Sequence, residues 1–181
     1  MKDLLKLTAV EDADLIRTGL SWVREMVDSP DYLNAEWIRL KKWVAAPVES
    51  ASHFDETDAM KLAAAATSAG ESACYTIATE PLENSFLCYL VPMSEEALLD
   101  LSWETSQFNF LLTPPDRSFA ILCSVWDFFV IAGPSRFVEN ALGMNIQRAR
   151  ARFVEFASDL RWPEEQRTRL LKIAKWYDHA G

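Results

Sequence analysis

Three apolar runs lie close together between residues 107 and 132, and they constrain the fold of this chain more than any other feature. The runs cover residues 108–112, 118–125 and 128–132. The first link between them contains Pro114, Pro115 and Asp116, and the second is only Trp126-Asp127. Runs rich in β-branched and aromatic residues and joined by turn formers are typical of antiparallel strands. We therefore predict a meander, with its nearly all-apolar middle strand buried on both faces.

Two further strands are predicted upstream of the meander. Residues 72–79 and 85–91 are β-branched or aromatic runs, and the turn formers Pro81 to Asn84 stand between them. Pro92 ends the second run, and Ser94-Glu95-Glu96 then favours a helix as far as about Thr105, with Leu98, Leu101 and Trp103 directed inward or partly buried. The sheet should therefore have about five strands, roughly 72–132.

Helical spacing dominates both ends of the chain. The pattern Thr8-Ala-Val-Glu11 fits a capping box at the start of a first helix. A second helix should begin at Ser29-Pro30 and carry Leu33, Trp37, Leu40 and Val44 on one face until Pro47 ends it. The remaining helices are predicted at about 56–68, 137–142, 145–160 and from 162 onward, with Gly70 and Gly143 as terminators. Runs of helices flanking a run of strands indicate a single α+β domain, 1–181, with an antiparallel sheet.

Residue types that build most catalytic and cofactor sites are scarce. The chain of 181 residues has two histidines, three cysteines and five glycines. It lacks a glycine-rich phosphate loop, CxxC, HExxH and Gly-x-Ser-x-Gly, the motifs that supply backbone donors, metal ligands or an activated nucleophile at fixed spacing. We therefore expect no cofactor, no metal and no catalytic residue, and a protein that binds rather than catalyses.

A few residues could form a metal site, a reactive thiol or a basic binding face. His53 and Asp55 could ligate a metal, but a solvated loop in which Asp55 or Thr57 caps the next helix explains them as well. Cys74, Cys88 and Cys123 lie in apolar runs and are expected to be buried reduced thiols. Arg148, Arg150 and Arg152 are expected to form a solvated helix face or ion pairs, because stacking aromatics are missing beside them.

The charge of the chain is acidic and uneven. The net charge is −9, and residues 61–140 contain ten acidic side chains against three basic ones. This balance disfavours nucleic acid and anionic membranes and favours a basic partner. No apolar run approaches the length of a membrane span, and the first residues do not resemble a signal peptide, so we expect a cytoplasmic protein. The residues that we predict to bind a partner are Glu80, Glu83, Glu95, Glu96, Asp116, Trp126 and Asp127.

The segment Trp126-Asp-Phe-Phe-Val-Ile-Ala-Gly-Pro-Ser-Arg-Phe-Val-Glu139, followed by the helix from Asn145, resembles small acidic bacterial toxin-immunity proteins. The resemblance covers about residues 107–160 and rests on size, acidity and the strand–turn–helix pattern. It implies a non-enzymatic inhibitor that neutralises a cognate toxin by occlusion, its acidic surface meeting a basic toxin domain. Two alternatives stay open: a small hydrolase-like enzyme with a site assembled from distant residues, such as His53 or Cys74 beside an acid, and an adaptor or secretion chaperone.

Overall fold

The computed structural model describes residues 7–51, 53–81 and 87–178. Within these ranges the chain forms nine strands and seven helices. The strands are β1 (Thr8–Ala9), β2 (Val27–Ser29), β3 (Tyr32–Leu33), β4 (Val44–Glu49), β5 (Ala73–Ala78), β6 (Cys88–Pro92), β7 (Phe110–Thr113), β8 (Ala120–Ser124) and β9 (Phe128–Gly133). The helices are α1 (Ala13–Met26), α2 (Ala35–Lys41), α3 (Glu56–Ser68), α4 (Glu95–Glu104), α5 (Ser135–Leu142), α6 (Ile146–Ala157) and α7 (Glu164–Asp178).

Seven of the described strands form one antiparallel sheet in the order β1-β6-β5-β7-β8-β9-β4. The predicted meander is confirmed as β7, β8 and β9, and every residue of β8 is buried. The α+β class is confirmed as well. The sheet is wider than the predicted five strands because β1 and β4 extend its two edges. Strands β2 and β3 form a separate small ribbon.

Helices cover both faces of the large sheet. Because side chains alternate along a strand, Phe129 and Ile131 enter one core, whereas Val130 and Ala132 enter the other. The first core is closed by α3, α4 and α5, and the second by α1, α2 and α7. A sheet that is buried on both faces explains why its central strands are continuous apolar runs rather than alternating ones.

The predicted capping box at Thr8–Glu11 is wrong. Thr8 and Ala9 instead pair with Leu90 and Tyr89 of β6 as the edge strand β1. Helix α1 begins later, where the Asp12 carboxylate accepts hydrogen bonds from the backbone N–H groups of Asp14 and Leu15. Asp is as good an N-cap as Thr, and starting at Asp12 leaves Thr8 free to pair with the sheet.

The predicted second helix is also too long. Helix α2 ends at Lys41, and Lys42 adopts a left-handed conformation (φ 55°) that turns the chain into β4. Leu40, predicted to face inward, is 72% exposed. Pro47 therefore does not terminate a helix; it lies within β4, opposite Val130. Proline is tolerated there because β4 is an edge strand, whose outer side needs no N–H donor.

Helix α6 covers the outer edge of β4. The Arg150 guanidinium donates to the carbonyl oxygen of Ala45 from Nε (3.1 Å) and from Nη2 (2.8 Å). The side chain thus satisfies a strand carbonyl that would otherwise lie at an open edge, where another strand can pair. Arg150 belongs to the predicted basic helix face, and its role here is to close the sheet.

Most other predicted boundaries are confirmed to within one or two residues. Asp55, Ser94 and Asn145 cap α3, α4 and α6 through their side chains. Gly143 ends α5 in the left-handed region (φ 66°). The helix predicted over 145–160 is an exception: α6 ends at Ala157, and the Leu160 side chain beyond it is 83% exposed.

Candidate functional site

The sheet separates the residues predicted to bind a partner into two groups. Neighbouring strands run in opposite directions, so the end of β5 lies beside the start of β7 and the end of β8. Glu80, Trp126 and Asp127 lie at this end of the sheet. The second group, at the opposite end, consists of Glu95, Glu96 and Asp116. Glu83 lies outside the described residues.

Trp126 and Asp127 make contacts within the protein. The Arg169 guanidinium carbon of α7 lies 4.2 Å from the centre of the Trp126 ring, and the ring is 39% exposed. The Asp127 carboxylate accepts a hydrogen bond from the Gln166 amide (2.9 Å), and its backbone carbonyl accepts one from Ser50 (2.9 Å). These contacts attach the β8–β9 turn to α7 and to the residue that follows β4, so both residues have a structural role.

A buried carboxylate reinforces the same attachment. Asp31, 4% exposed, accepts hydrogen bonds from the Ser124 hydroxyl (2.8 Å) and from the Arg169 guanidinium, including Nε at 2.9 Å. The Tyr177 hydroxyl of α7 accepts a hydrogen bond from the Leu33 N–H (2.8 Å) and donates one to the Asp31 carbonyl oxygen (3.4 Å). The β2–β3 ribbon, the sheet and α7 are therefore joined through one polar network.

The solvent face of α4 carries the most exposed tryptophan of the described residues. Trp103 is 83% exposed, whereas Trp37 and Trp43 are 5% and 6% exposed. The prediction that Trp103 points inward or is partly buried is wrong. It follows Leu101 by two positions, which is about 200° around a helix, so burying Leu101 turns Trp103 outward. Leu98 and Leu101 define the buried face of the helix in the sequence, and the exposure of Trp103 follows from its position relative to them.

Contacts on the inner side of α4 fix its rotation. Ala97, Leu98 and Leu101 are fully buried. The Ser102 hydroxyl accepts a hydrogen bond from the Phe54 N–H (3.0 Å) and lies 3.3 Å from the Phe54 carbonyl oxygen, to which it donates. The helix is therefore held against the segment before α3, and Trp103 is presented on a rigid element.

Acidic residues surround Trp103 on this face. Helix α4 contains four acids, Glu95, Glu96, Asp100 and Glu104, and no base. The spacing of Glu96, Asp100 and Trp103 places them on one stripe. The ion pairs found among the described residues involve none of the four acids. We call the set Glu96, Asp100, Trp103 and Glu104 the α4 surface.

An exposed methionine extends the apolar part of this region. Helices α3 and α4 pack together and run in opposite directions, and the Phe54–Ser102 hydrogen bonds place the start of α3 beside the end of α4. Met60, in the second turn of α3, is 53% exposed. It therefore lies toward the same end of the helix layer as Trp103.

His53 does not lie in a solvated loop, contrary to the prediction. It is 3% exposed, its Nε2 lies 2.8 Å from the Thr105 carbonyl oxygen, and its ring packs edge-on against Phe110. Burial lowers the pKa of the imidazole, since it disfavours the charged form. Among the residues described by the structure, no group of three or more His, Cys, Asp or Glu side chains could hold a metal ion.

The cysteines are buried thiols, as predicted. Cys74 and Cys123 are fully buried and Cys88 is 4% exposed. Burial raises the pKa of all three thiols, that of Cys88 to about 11. A thiolate nucleophile is therefore disfavoured at each position.

One of the ion pairs predicted for the basic face of α6 is confirmed. The Arg152 guanidinium lies 2.6 Å from the Glu49 carboxylate.

Comparison with protein-family models found no matching family, and searches of curated proteins and of solved structures found no significant match. No helix in the described ranges is both long and apolar enough to cross a membrane.

Proposed function

We propose that this chain is a protein-binding protein that holds a basic partner against the α4 surface. Trp103 is the observation that carries this proposal. Trp103 is 83% exposed on a helix whose opposite face is buried, so most of its surface makes no contact within the isolated fold. Tryptophan is enriched among residues that dominate binding energy, and its burial by a partner accounts for its position.

The charge around Trp103 supports a basic partner. Four acids and no base on one short helix give a locally negative surface, within a chain of net charge −9. Complementary charges accelerate association and exclude acidic competitors, whereas the aromatic anchor supplies affinity. The predicted residues Glu95 and Glu96 belong to this helix, while Glu80, Asp116, Trp126 and Asp127 lie away from its solvent face.

The partner class that we propose is a basic toxin domain, neutralised by occlusion. The resemblance of residues 107–160 to bacterial toxin-immunity proteins supports this class. An inhibitor of that kind needs a rigid surface and no catalytic group of its own. The α4 surface, fixed by the Ser102–Phe54 hydrogen bonds, supplies such a surface.

The test begins with a tagged pull-down from the native host at low and at high salt, with the captured proteins identified by mass spectrometry. One stoichiometric basic partner that salt weakens is the expected result, because screening reduces the attraction of exposed charges. The affinity of that partner is then measured by calorimetry for the unmodified chain and for two variants, Trp103→Ala and Glu96→Lys/Asp100→Lys.

We expect Trp103→Ala to weaken binding by about 2 kcal/mol or more, the range of an anchor residue. Leu160→Ala is the matched control, because Leu160 is equally exposed (83%) but lies beyond α6. Glu155→Lys controls for charge, since it is an exposed acid on α6. Absence of a partner at either salt, or equal binding by Trp103→Ala, would contradict the proposal.

A further inference from the structure

The outer surface where α3 and α4 meet carries apolar side chains next to acidic ones. Helix α4 packs against β6, and α5 packs against β9 and β4, at opposite ends of the large sheet. Helix α3 packs against both helices and therefore lies between them. The inner sides of α3 and α4 face the core, so a partner can reach only their outer sides.

Helical geometry places Met60 and Ala63 on the flank of α3 that faces α4. Lys61 marks the opposite flank, because its Cε lies 3.2 Å from the position of a Cβ added at Gly143, directly after α5. Ala63 follows Lys61 by two positions, about 200° around the helix, and Met60 lies one turn before Ala63. Ala63 is partly buried against the core, whereas Met60 is 53% exposed. These two residues therefore border α4, with Met60 nearer to solvent.

Leu99 and Trp103 lie on the matching side of α4. Ser102 identifies the flank that faces α3, because its hydroxyl forms hydrogen bonds with the backbone of Phe54, just before α3. Leu99 lies one turn before Ser102 and is partly buried against the core. Trp103 lies one turn after Leu99, and its exposure of 83% places it on the solvent side. We call the set Met60, Ala63, Leu99 and Trp103 the α3–α4 seam.

A row of carboxylates follows the other side of α4. Glu96, Asp100 and Glu104 are four positions apart, so their side chains lie one above the other at a spacing of about 6 Å. Asp100 and Glu104 are each two positions from Ser102, about 200° around the helix, which places them away from α3. The outer surface therefore changes from apolar to acidic across the width of α4.

A partner segment on the α3–α4 seam must satisfy its own backbone hydrogen bonds. Apart from their ends, α3 and α4 use their backbone N–H and C=O groups internally, so they offer none to an extended strand. A helix needs none, and its side chains can pack into the groove between two neighbouring helices. Helix α4 has ten residues, which gives the seam a length of about 15 Å, or nearly three helical turns.

We propose that the α3–α4 seam binds an amphipathic α-helix of the partner whose basic residues lie along one flank. Apolar residues at helical spacing on that helix pack against Met60, Leu99 and Trp103. Lysine or arginine residues four positions apart face the row of carboxylates, and this complementary charge sets the orientation of the helix. The inference rests on the proposed function, because it specifies which element of the basic partner the α4 surface holds.

Synthetic peptides test the form of the partner segment. The probe, about four helical turns long, carries leucine at i, i+3, i+4 and i+7 and lysine along one flank. A scrambled peptide of the same composition has the same charge without the helical period. Fluorescence anisotropy of each labelled peptide, titrated with the full chain, gives its affinity. We expect the probe to bind at least about tenfold more tightly than the scrambled peptide and to gain helical circular dichroism on binding. Equal affinities, which would indicate an unstructured basic segment, or no binding at about 1 mM, would overturn the proposal.

A substitution on α3 locates the probe on the seam. Met60→Gln keeps the length of the side chain but removes most of its hydrophobicity, so it should weaken binding of the probe by about fivefold. Leu171→Gln is the matched control, because Leu171 is an apolar residue 39% exposed on α7, and this variant should bind as the unmodified chain does. Equal affinities for Met60→Gln and Leu171→Gln would overturn the placement of the helix.

A triple variant tests the row of carboxylates. Glu96→Gln/Asp100→Asn/Glu104→Gln should lose most of the salt dependence of probe binding, since screening acts on the exposed charges that face the probe. The control removes the same charge from three exposed acids elsewhere and should keep that dependence. The control variant is Glu36→Gln/Glu155→Gln/Glu165→Gln. Equal salt dependence of the two triple variants would show that only net charge matters and would overturn the orientation proposed for the basic flank.

The outcomes separate this inference from the proposed function. If Trp103→Ala weakens binding of the captured partner while Met60→Gln does not, the α4 surface binds that partner in another form, and only the helix proposal fails. If Trp103→Ala binds the partner as tightly as the unmodified chain does, the proposed function fails as well. Sedimentation equilibrium of the unmodified chain tests a further occupant: a dimer that Met60→Gln dissociates would show that a second copy covers the seam and would overturn the proposal.

Discussion

Replacing Asp31 by alanine should destabilise the fold more than any exposed carboxylate would. Asp31 is 4% exposed and accepts hydrogen bonds from Ser124 and Arg169, which link the β2–β3 ribbon to β8 and α7. Removing one partner of a buried ion pair costs about 3–5 kcal/mol. The Arg169 side chain is 39% exposed and can be rehydrated, so we take about half, or ~2 kcal/mol. The Ser124 hydroxyl, in a residue 2% exposed, loses its acceptor and adds about 1 kcal/mol.

The expected loss for Asp31→Ala is therefore about 3 kcal/mol in the free energy of unfolding. Urea denaturation followed by tryptophan fluorescence measures it; with a slope of roughly 2 kcal/mol/M, the midpoint should fall by about 1.5 M. Asp14→Ala is the control, since Asp14 pairs with Arg17 at the surface with 84% of its side chain exposed. Its effect should stay below about 1 kcal/mol. If Asp31→Ala costs no more than Asp14→Ala, or if a double-mutant cycle with Arg169→Met shows no coupling, the network does not stabilise the fold as argued.

Three further predictions concern particular side chains. Trp103→Ala should change the free energy of unfolding by less than about 0.5 kcal/mol in the same urea assay, whereas Trp37→Ala, at a residue 5% exposed, should cost about 3 kcal/mol or more. The raised pKa of Asp58 means that the folded state binds its proton more tightly than the unfolded chain, so this contribution to stability is present below about pH 4 and is lost as pH rises through about 6. Asp58→Asn should thus stabilise the fold on the order of 1 kcal/mol at neutral pH, with the gain vanishing near pH 4; a gain of the same size at both pH values in urea titrations would count against the shift. The cysteines, buried and with raised pKa values, should not react with a thiol reagent such as dithionitrobenzoate until the chain is unfolded, and rapid labelling of the native protein would show that the thiols are accessible.

The central sheet could be predicted because its determinants are local. Strands β7, β8 and β9 are apolar runs separated by turn formers. Every residue in them is buried, so the runs are continuous and easy to assign as strands. Side-chain caps were equally readable: Asp55, Ser94 and Asn145 each precede a helix as expected.

Edge strands were missed because their pairing partners are distant in sequence. Val44–Glu49 contains Pro47 and continues the helical spacing of Trp37 and Leu40, so local signals favour a helix. Only pairing with β9 makes it a strand. In the same way Thr8 and Glu11 fit a capping box, and the competing hydrogen bonds come from β6.

The site was only partly predictable for a related reason. Sequence identifies acidic residues, but it does not say which of them share a surface. Glu80 and Asp127 are brought to one end of the sheet and Asp116 to the other by strand direction alone. Trp103, in contrast, could have been assigned to the solvent face from the helical phase of Leu98 and Leu101.

Because Arg150 of α6 covers the outer edge of β4, that edge stays open during synthesis until α6 has been made. Arg150 and Ala45 lie 105 residues apart in the chain. At a translation rate of about 5–20 residues per second, β4 waits roughly 5–20 s on the ribosome between its own synthesis and that of the helix that covers it. Throughout that interval an apolar segment with unpaired backbone groups is available to neighbouring nascent chains. Pro47 interrupts the segment and lacks an N–H donor, so it acts as a gatekeeper against aggregation before the fold exists.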